Sequence, residues 1–166
     1  MAPPAPSSGD KKKQIVDAAV AHLLQHGFGN SGIRALAKSA GMSDRMVMYY
    51  FATKDELIAD ALLVMAKGMT ASLELLVPQK RATGAQILKA LSDAAHSPEV
   101  RPVLRLWFEV VGRAVAGDEP YKSTATLILD NWEQWIAEKL GPSGAHRAGE
   151  LLAQIEGQMM ADLVRG

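Results

Sequence analysis

The sequence predicts an all-α chain in which a small, basic, three-helix helix-turn-helix unit precedes a larger helical bundle. Three observations predict it. Apolar residues recur at three- and four-residue spacing from Asp10 onward. Ser or Thr at capping positions, and glycines at stops, punctuate that pattern into short and long helices. No segment alternates apolar and polar residues between paired turn residues, as a strand would.

The elements follow in order. Residues 1–9 are rich in Pro, Ser and Ala with little to bury, so a disordered tail is expected. From Asp10, Ile15, Val16, Ala19, Val20, Leu23 and Leu24 keep helical spacing until Gly27 supplies a stop. "FGNSG" is a turn that places Ser31 to cap the next helix, where Ile33, Leu36 and Ala37 share a face and Gly41 ends it. Ser43 caps a third helix from Asp44 to about Phe51. Thr53-Lys54-Asp55-Glu56 has capping-box spacing and opens a long helix through Leu57, Ala61, Leu62 and Met65 towards Leu76.

"VPQKRA" reads as a loop, and Thr83 and Gln86 repeat the capping spacing before Ile87, Leu88 and Leu91. Ser97-Pro98 is expected to start the next helix, with Val103, Leu104, Trp107, Phe108 and Val111 on its buried side and Pro102 as a possible kink. "AGDEP" interrupts the pattern. Two helices follow, 121–140 and 145–164, separated by "GPSG". The expected division is a tail over 1–9, a helix-turn-helix domain over 10–55 and a helical body over 56–166.

Composition narrows the function. Hydrophobic residues make up 48% and charged residues 22%, which suits a folded chain. The chain has no cysteine, so disulfides, thiolate metal sites and cysteine nucleophiles are excluded and a reducing cytoplasm is expected. No apolar run reaches the roughly 18–20 residues of a membrane span, and the first residues lack the pattern of a signal peptide. Net charge is zero, yet residues 11–54 hold seven basic residues against two acidic ones, an excess of +5. A basic front on an acidic remainder suits one polyanion-binding end. His22, His26, His96 and His146 are scattered, and His22 and His26 read as surface residues near a helix end. With no phosphate-cradling loop, metal motif or nucleophile elbow, neither an enzyme nor a cofactor is expected.

Two short helices joined by "AGMS" have helix-turn-helix proportions. The second helix of such a pair gives one side to its own core and the other to the DNA major groove. Val47 and Phe51, four apart, are then the core knobs, with Met48 beside them. Asp44, Arg45, Met46, Tyr49 and Tyr50 face outward or sit at the rim.

The stretch "IRALAKSAGMSDRMVMYYFATKDEL" resembles the N-terminal domain of the TetR family of bacterial transcriptional regulators. The Ala-Lys-x-Ala-Gly-x-Ser turn, the Tyr-Phe close of the recognition helix, the Lys-[Asp/Glu]-x-Leu start of the next and the leading His26-Gly27-Phe28 carry the likeness, over about residues 11 to 60. The resemblance implies a homodimer on a double-stranded, palindromic DNA operator, released by a small-molecule effector and acting as a repressor. It also implies phosphate contacts from Ser31, Ser43 and Lys54, guanine contacts from Arg34 and Arg45, and backbone or methyl contacts from Tyr49 and Tyr50. Met46 would then touch a thymine methyl. Met48 departs from the family's frequent tyrosine. Asp44 departs from its common lysine or polar residue and must cap its own helix, orient Arg45 or accept from cytosine N4.

In the body, Leu129, Trp132, Ile136 and Leu140 form one stripe, widened by Ile128 and Trp135. The last helix is apolar on two sides, through Leu151, Leu152, Ile155 and Met159, and through Ala153, Gly157, Met160 and Val164. A homodimer interface through Ile128, Trp132, Trp135, Leu152, Ile155, Gly157, Met159 and Met160 is therefore expected, with Gly157 admitting a close helix. An effector pocket would be lined by Met65, Met69, Leu88, Leu91, Trp107, Phe108 and Val111. The rival expectation is a helical small-molecule-binding protein whose DNA-binding head does not function.

Overall fold

The computed structural model describes residues 7–78, 80–119 and 121–166. Among them the regular structure is entirely helical: α1 Ser8–His26, α2 Ile33–Ser39, α3 Asp44–Tyr50, α4 Lys54–Leu76, α5 Gly84–Ala95, α6 Arg101–Val115, α7 Tyr121–Leu140 and α8 Ala148–Arg165, with a short 3-10 turn at Ala145–Arg147. Two compact units divide the chain between Met65 and Ala66. The expected boundary at 55 and 56 falls instead at the start of α4, whose first turns bury Leu57, Ile58, Ala61 and Leu62 in the first unit.

Residues 8 and 9, expected to be disordered, belong to the first helix. Ser7 accepts from the backbone of Asp10 while the Asp10 carboxylate accepts from Ser7, a reciprocal cap that starts α1 at Ser8. Residues 8 and 9 are therefore helical, and residues 1–6 lie outside the described residues. The Ser7 hydroxyl first and the Ser7 backbone N–H second, both donating to the Asp10 carboxylate, hold its carboxyl below its ordinary range.

In the first unit, Ile15, Val16, Ala19 and Leu23 of α1 meet Leu36 and Ala37 of α2, Val47 of α3, Phe51 and the start of α4 in one core. Burying side chains of this size contributes about 1.5–3 kcal/mol each. The Lys12 ammonium lies 3.3 Å from Asp60 and 4.8 Å from the centre of the Phe51 ring. His22 is likewise more than a surface residue, since its ring bridges Ser39 Oγ at 2.8 Å and the Asn30 carbonyl at 3.0 Å.

In the second unit, Thr83 and Gln86 form the expected capping box on α5. Ser97 caps a separate turn, accepting from Val100 N, and α6 starts only at Arg101. Pro102 therefore sits in the first turn, where its missing N–H costs nothing, and does not kink the helix. Leu104, Leu106, Trp107 and Val110 of α6 pack with Ile128, Trp132, Trp135 and Ile136 of α7 and Leu151, Leu152 and Ile155 of α8 in the buried core, while Val103, Phe108 and Val111 are only half-buried. Lys139 is buried with its ammonium on Glu74 at 2.7 Å and on the Val77 carbonyl at 2.8 Å. Trp135 donates its indole N–H to the same Glu74 carboxylate. These bonds, Lys139 first and Trp135 second, hold the Glu74 carboxyl below its ordinary range. No helix among the described residues is long and apolar enough to cross a membrane.

Candidate nucleic-acid interface and effector cavity

The turn between α2 and α3 is fixed by backbone geometry. Met42 N–H reaches the Ala37 carbonyl at 2.9 Å and Gly41 N–H reaches the Lys38 carbonyl at 3.1 Å, which together close the end of α2 as a Schellman motif. Gly41 occupies its left-handed position with φ +66°, a conformation that side-chained residues resist. Ser43 then accepts from Met46 N at 3.2 Å and caps α3, as expected.

Helical spacing sorts α3 into two sides. Val47 is fully buried and Phe51, which follows the helix, is 1% exposed. Opposite them Arg45 and Met46 are exposed, and Tyr49 is 79% exposed with its ring edge-on to the half-buried Tyr50. Met48 does not join the core: one position past Val47, it is rotated out of the packed side and is 42% exposed. Arg45, Met46 and Tyr49 thus stand free of the protein interior, as a base-reading surface requires.

Two expectations about polar groups are corrected. Ser31 does not cap α2, which takes Gly32 as its N-cap without a side-chain bond. The Ser31 side chain is 2% exposed and donates to the Phe28 carbonyl at 2.7 Å, so it serves the turn and cannot grip a phosphate. Asp44 orients Arg34 and not Arg45, with Oδ2 lying 3.5 Å from Arg34 Nε. Lys54 is partly exposed at the first turn of α4, with Asp55 3.8 Å away. Beside it Thr53 Oγ1 accepts from Glu56 N, while Glu56 reaches back to Ala52 N and not to Thr53 as a strict capping box would.

The second unit contains a small, partly open cavity of ≈ 40 Å³. Met69 and Leu73 of α4, Leu91 of α5, Leu104 of α6, Trp132, Trp135 and Ile136 of α7, and Leu152, Ile155, Glu156 and Met159 of α8 line it. Of the seven expected lining residues, Met69 and Leu91 are there. Trp107 lies behind the wall, donating its indole N–H to Glu156 Oε2 at 2.8 Å. Met65, Phe108 and Val111 are half-buried elsewhere, and Leu88 lines a separate hollow of ≈ 450 Å³ with Leu140, Arg147, Glu150, Leu151 and Gln154. Helical periodicity marked these residues as apolar but carried no information on which neighbour each would face.

Glu156 was missed because one carboxylate on an otherwise apolar face gives no local signal. Burial pushes its carboxyl above the ordinary range, against the opposing effect of the Trp107 hydrogen bond. Of the expected interface residues, Ile128, Trp132, Trp135, Leu152 and Ile155 are already buried within the single chain and Met159 is half-buried beside them. What remains outward on α8 is Ala153, Gly157, Met160 and Val164, spaced to share one face. A methyl group added at Gly157 would meet nothing within 4 Å, so the chain itself supplies no close-packed helix there. Among the described residues no group of three His, Cys, Asp or Glu side chains is placed to hold a metal ion.

Comparison with known proteins agrees with this geometry. Residues 15–61 match the model of bacterial regulatory proteins of the tetR family. Over 129 residues the chain is 27% identical to the HTH-type transcriptional regulator PksA of Bacillus subtilis (strain 168), covering 76% of this chain and 62% of that protein. The chain thus spans about six-tenths of that relative's length. A transcriptional regulator from Rhodococcus sp. Rha1 superposes with a TM-score of 0.71 at 22% identity, over 92% of this chain and 83% of that one. The multidrug binding protein EbrR complexed with proflavin does so with a TM-score of 0.71 at 22% identity, over 93% and 89%. At such identities the two structures establish the fold alone. Residues 15–61, which carry the helix-turn-helix built on Gly41, Ser43, Val47 and Phe51, thus form a domain similar to the N-terminal domain of bacterial regulatory proteins of the tetR family.

Proposed function

We propose that the protein is a ligand-responsive DNA-binding transcriptional regulator, a repressor that binds a palindromic operator as a homodimer and is released by a small-molecule effector. The observation that carries this reading is the division of α3: Val47 and Phe51 are buried while Arg45, Met46 and Tyr49 on the other side stay free. Arg45 suits bidentate contact with guanine, and Met46 suits a thymine methyl. The exposed first turn of α3 at Ser43, together with Lys54 and Tyr50, supplies phosphate contacts that set register.

The outward stripe Ala153, Gly157, Met160 and Val164 supports a second copy docking on α8. A two-fold dimer would set two recognition helices about 34–36 Å apart on one face of the duplex. The cavity of the second unit is the effector site in this reading, in keeping with the EbrR neighbour, which is solved with proflavin. Ligand entry shifts the population between a DNA-competent and a released state in proportion to its differential affinity for the two.

The rival reading, a helical small-molecule binder with an idle head, draws on the Arg34–Asp44 pair, which occupies one candidate base reader and sets a carboxylate near the phosphates. A mobility-shift series on the DNA upstream of the protein's own gene, over a range of salt, separates the two. Retention of one fragment over scrambled DNA, weakening steeply with salt, supports the regulator. Indifference to sequence at every salt concentration supports the rival.

A further inference from the structure

We infer that the cavity of the second unit takes a small organic cation, an ammonium whose N–H donates to Glu156 and whose apolar body lies against Trp132, Trp135, Met69 and Met159. The inference rests on the effector reading above and names the chemical class that the site would accept.

Three observations carry it. Glu156 is the one ionisable residue in the lining, and everything else there is apolar or aromatic. One of its oxygens accepts from Trp107 Nε1; among the described residues the other has no hydrogen bond, and no Lys, Arg or His pairs with it. A carboxylate removed from water costs free energy unless a partner compensates it. The raised carboxyl of Glu156 is the signature of that missing compensation.

Competing chemistries fit less well. An anion would set a second negative charge against Glu156, and no Lys, Arg or His stands among the described residues of the lining. A hydrocarbon would leave the carboxylate unpaired. An ammonium supplies the missing charge and donors together, and tryptophan faces add cation–π attraction. The cavity as found holds ≈ 40 Å³, little more than a water or two, so the ligand body must displace side chains. Met69 and Met159 are suited to that, being unbranched and only half-buried. Residues 66–76 of α4, which supply Met69 and Leu73, include no buried side chain, so this wall is the least held by packing.

The chain's three tryptophans are Trp107, Trp132 and Trp135, so intrinsic fluorescence reports on this cavity and its wall. Titrations of the full chain without DNA would use hexylamine, hexanol and hexanoate, which share a tail and differ in charge. Hexylamine should bind about tenfold to a hundredfold tighter than hexanol, the range of a hydrogen bond to a charged group, with hexanoate weakest. Glu156→Gln keeps the volume and an oxygen for Trp107, and should bring hexylamine to the level of hexanol, with circular dichroism checking that the variant folds. The comparison of amine with alcohol on the unaltered protein needs no variant.

Hexanol equal to or tighter than hexylamine, an amine preference that survives in a folded Glu156→Gln variant, or no response to any of the three overturns the inference. Because DNA is absent, these outcomes are separate from the mobility-shift result. Amine binding by a protein indifferent to DNA sequence would uphold the cation site and remove the regulator reading. Sequence-specific DNA retention without amine preference would do the reverse.

Discussion

Replacing Asp44 by asparagine tests how the protein handles the one carboxylate at its recognition helix. Arg34 Nε lies 3.5 Å from Asp44 Oδ2, with side chains 92% and 46% exposed. In such wet surroundings the pair contributes only about 0.2–1 kcal/mol to folding. The acidic group in the first turn of α3 adds about 0.3–1 kcal/mol through the helix dipole. Asp44→Asn should therefore cost about 1 kcal/mol, a fall of roughly 2–4 °C in Tm for a chain of this size. Its effect on DNA should run the other way. Removing a charge that repels phosphates and releasing Arg34 to meet one should raise affinity several-fold at low salt. The slope of log K against log salt should steepen by about 0.9 for the added contact. Fluorescence anisotropy on a labelled operator duplex across a salt series measures both quantities, with a thermal melt run separately. A loss of affinity confined to the operator, with the salt slope unchanged, would refute the reasoning and mean that Asp44 accepts from a cytosine amino group.

Arg45→Ala should weaken operator binding by about 1–3 kcal/mol and relax base choice at one position, whereas Lys54→Ala should weaken all sequences alike and flatten the salt slope; competition with single-base operator variants distinguishes the two. Gly41→Ala should destabilise the chain by about 1–2 kcal/mol, all of it backbone strain at φ +66°, since an added Cβ meets nothing within 4 Å; denaturant unfolding checks it, and an unchanged midpoint would contradict the assigned turn. Glu74 has a lowered carboxyl, so its pairing with Lys139 and Trp135 stabilises the native state above the unfolded-state pKa and is lost as pH falls through the folded one. Melting curves from neutral to acid pH should show that loss, and Lys139→Met should reduce it.

Interactions within one turn of chain were the most legible. Ser43 on α3 and Thr83 with Gln86 on α5 could be placed because a cap needs only residues three apart. Ser7 and Asp10 have the same spacing, yet the surrounding Pro and Ser obscured it, and α1 begins earlier than composition suggested. The inward side of α3 was legible at Val47 and Phe51 because four-residue spacing fixes a face, while Met48 lay too near the edge of that face to assign.

The sequence by itself determined an all-helical chain, the turn at Gly41 and the outward course of Arg45, Met46 and Tyr49, because propensity, capping and periodicity act over a few residues. Tertiary structure alone decided that Ser31 turns inward, that Asp44 meets Arg34, and that Trp132 and Trp135 line a cavity with Glu156 and not an exposed stripe. An apolar stripe states that a side chain will leave water. Only the packing of helices distant in sequence selects what it leaves water to meet.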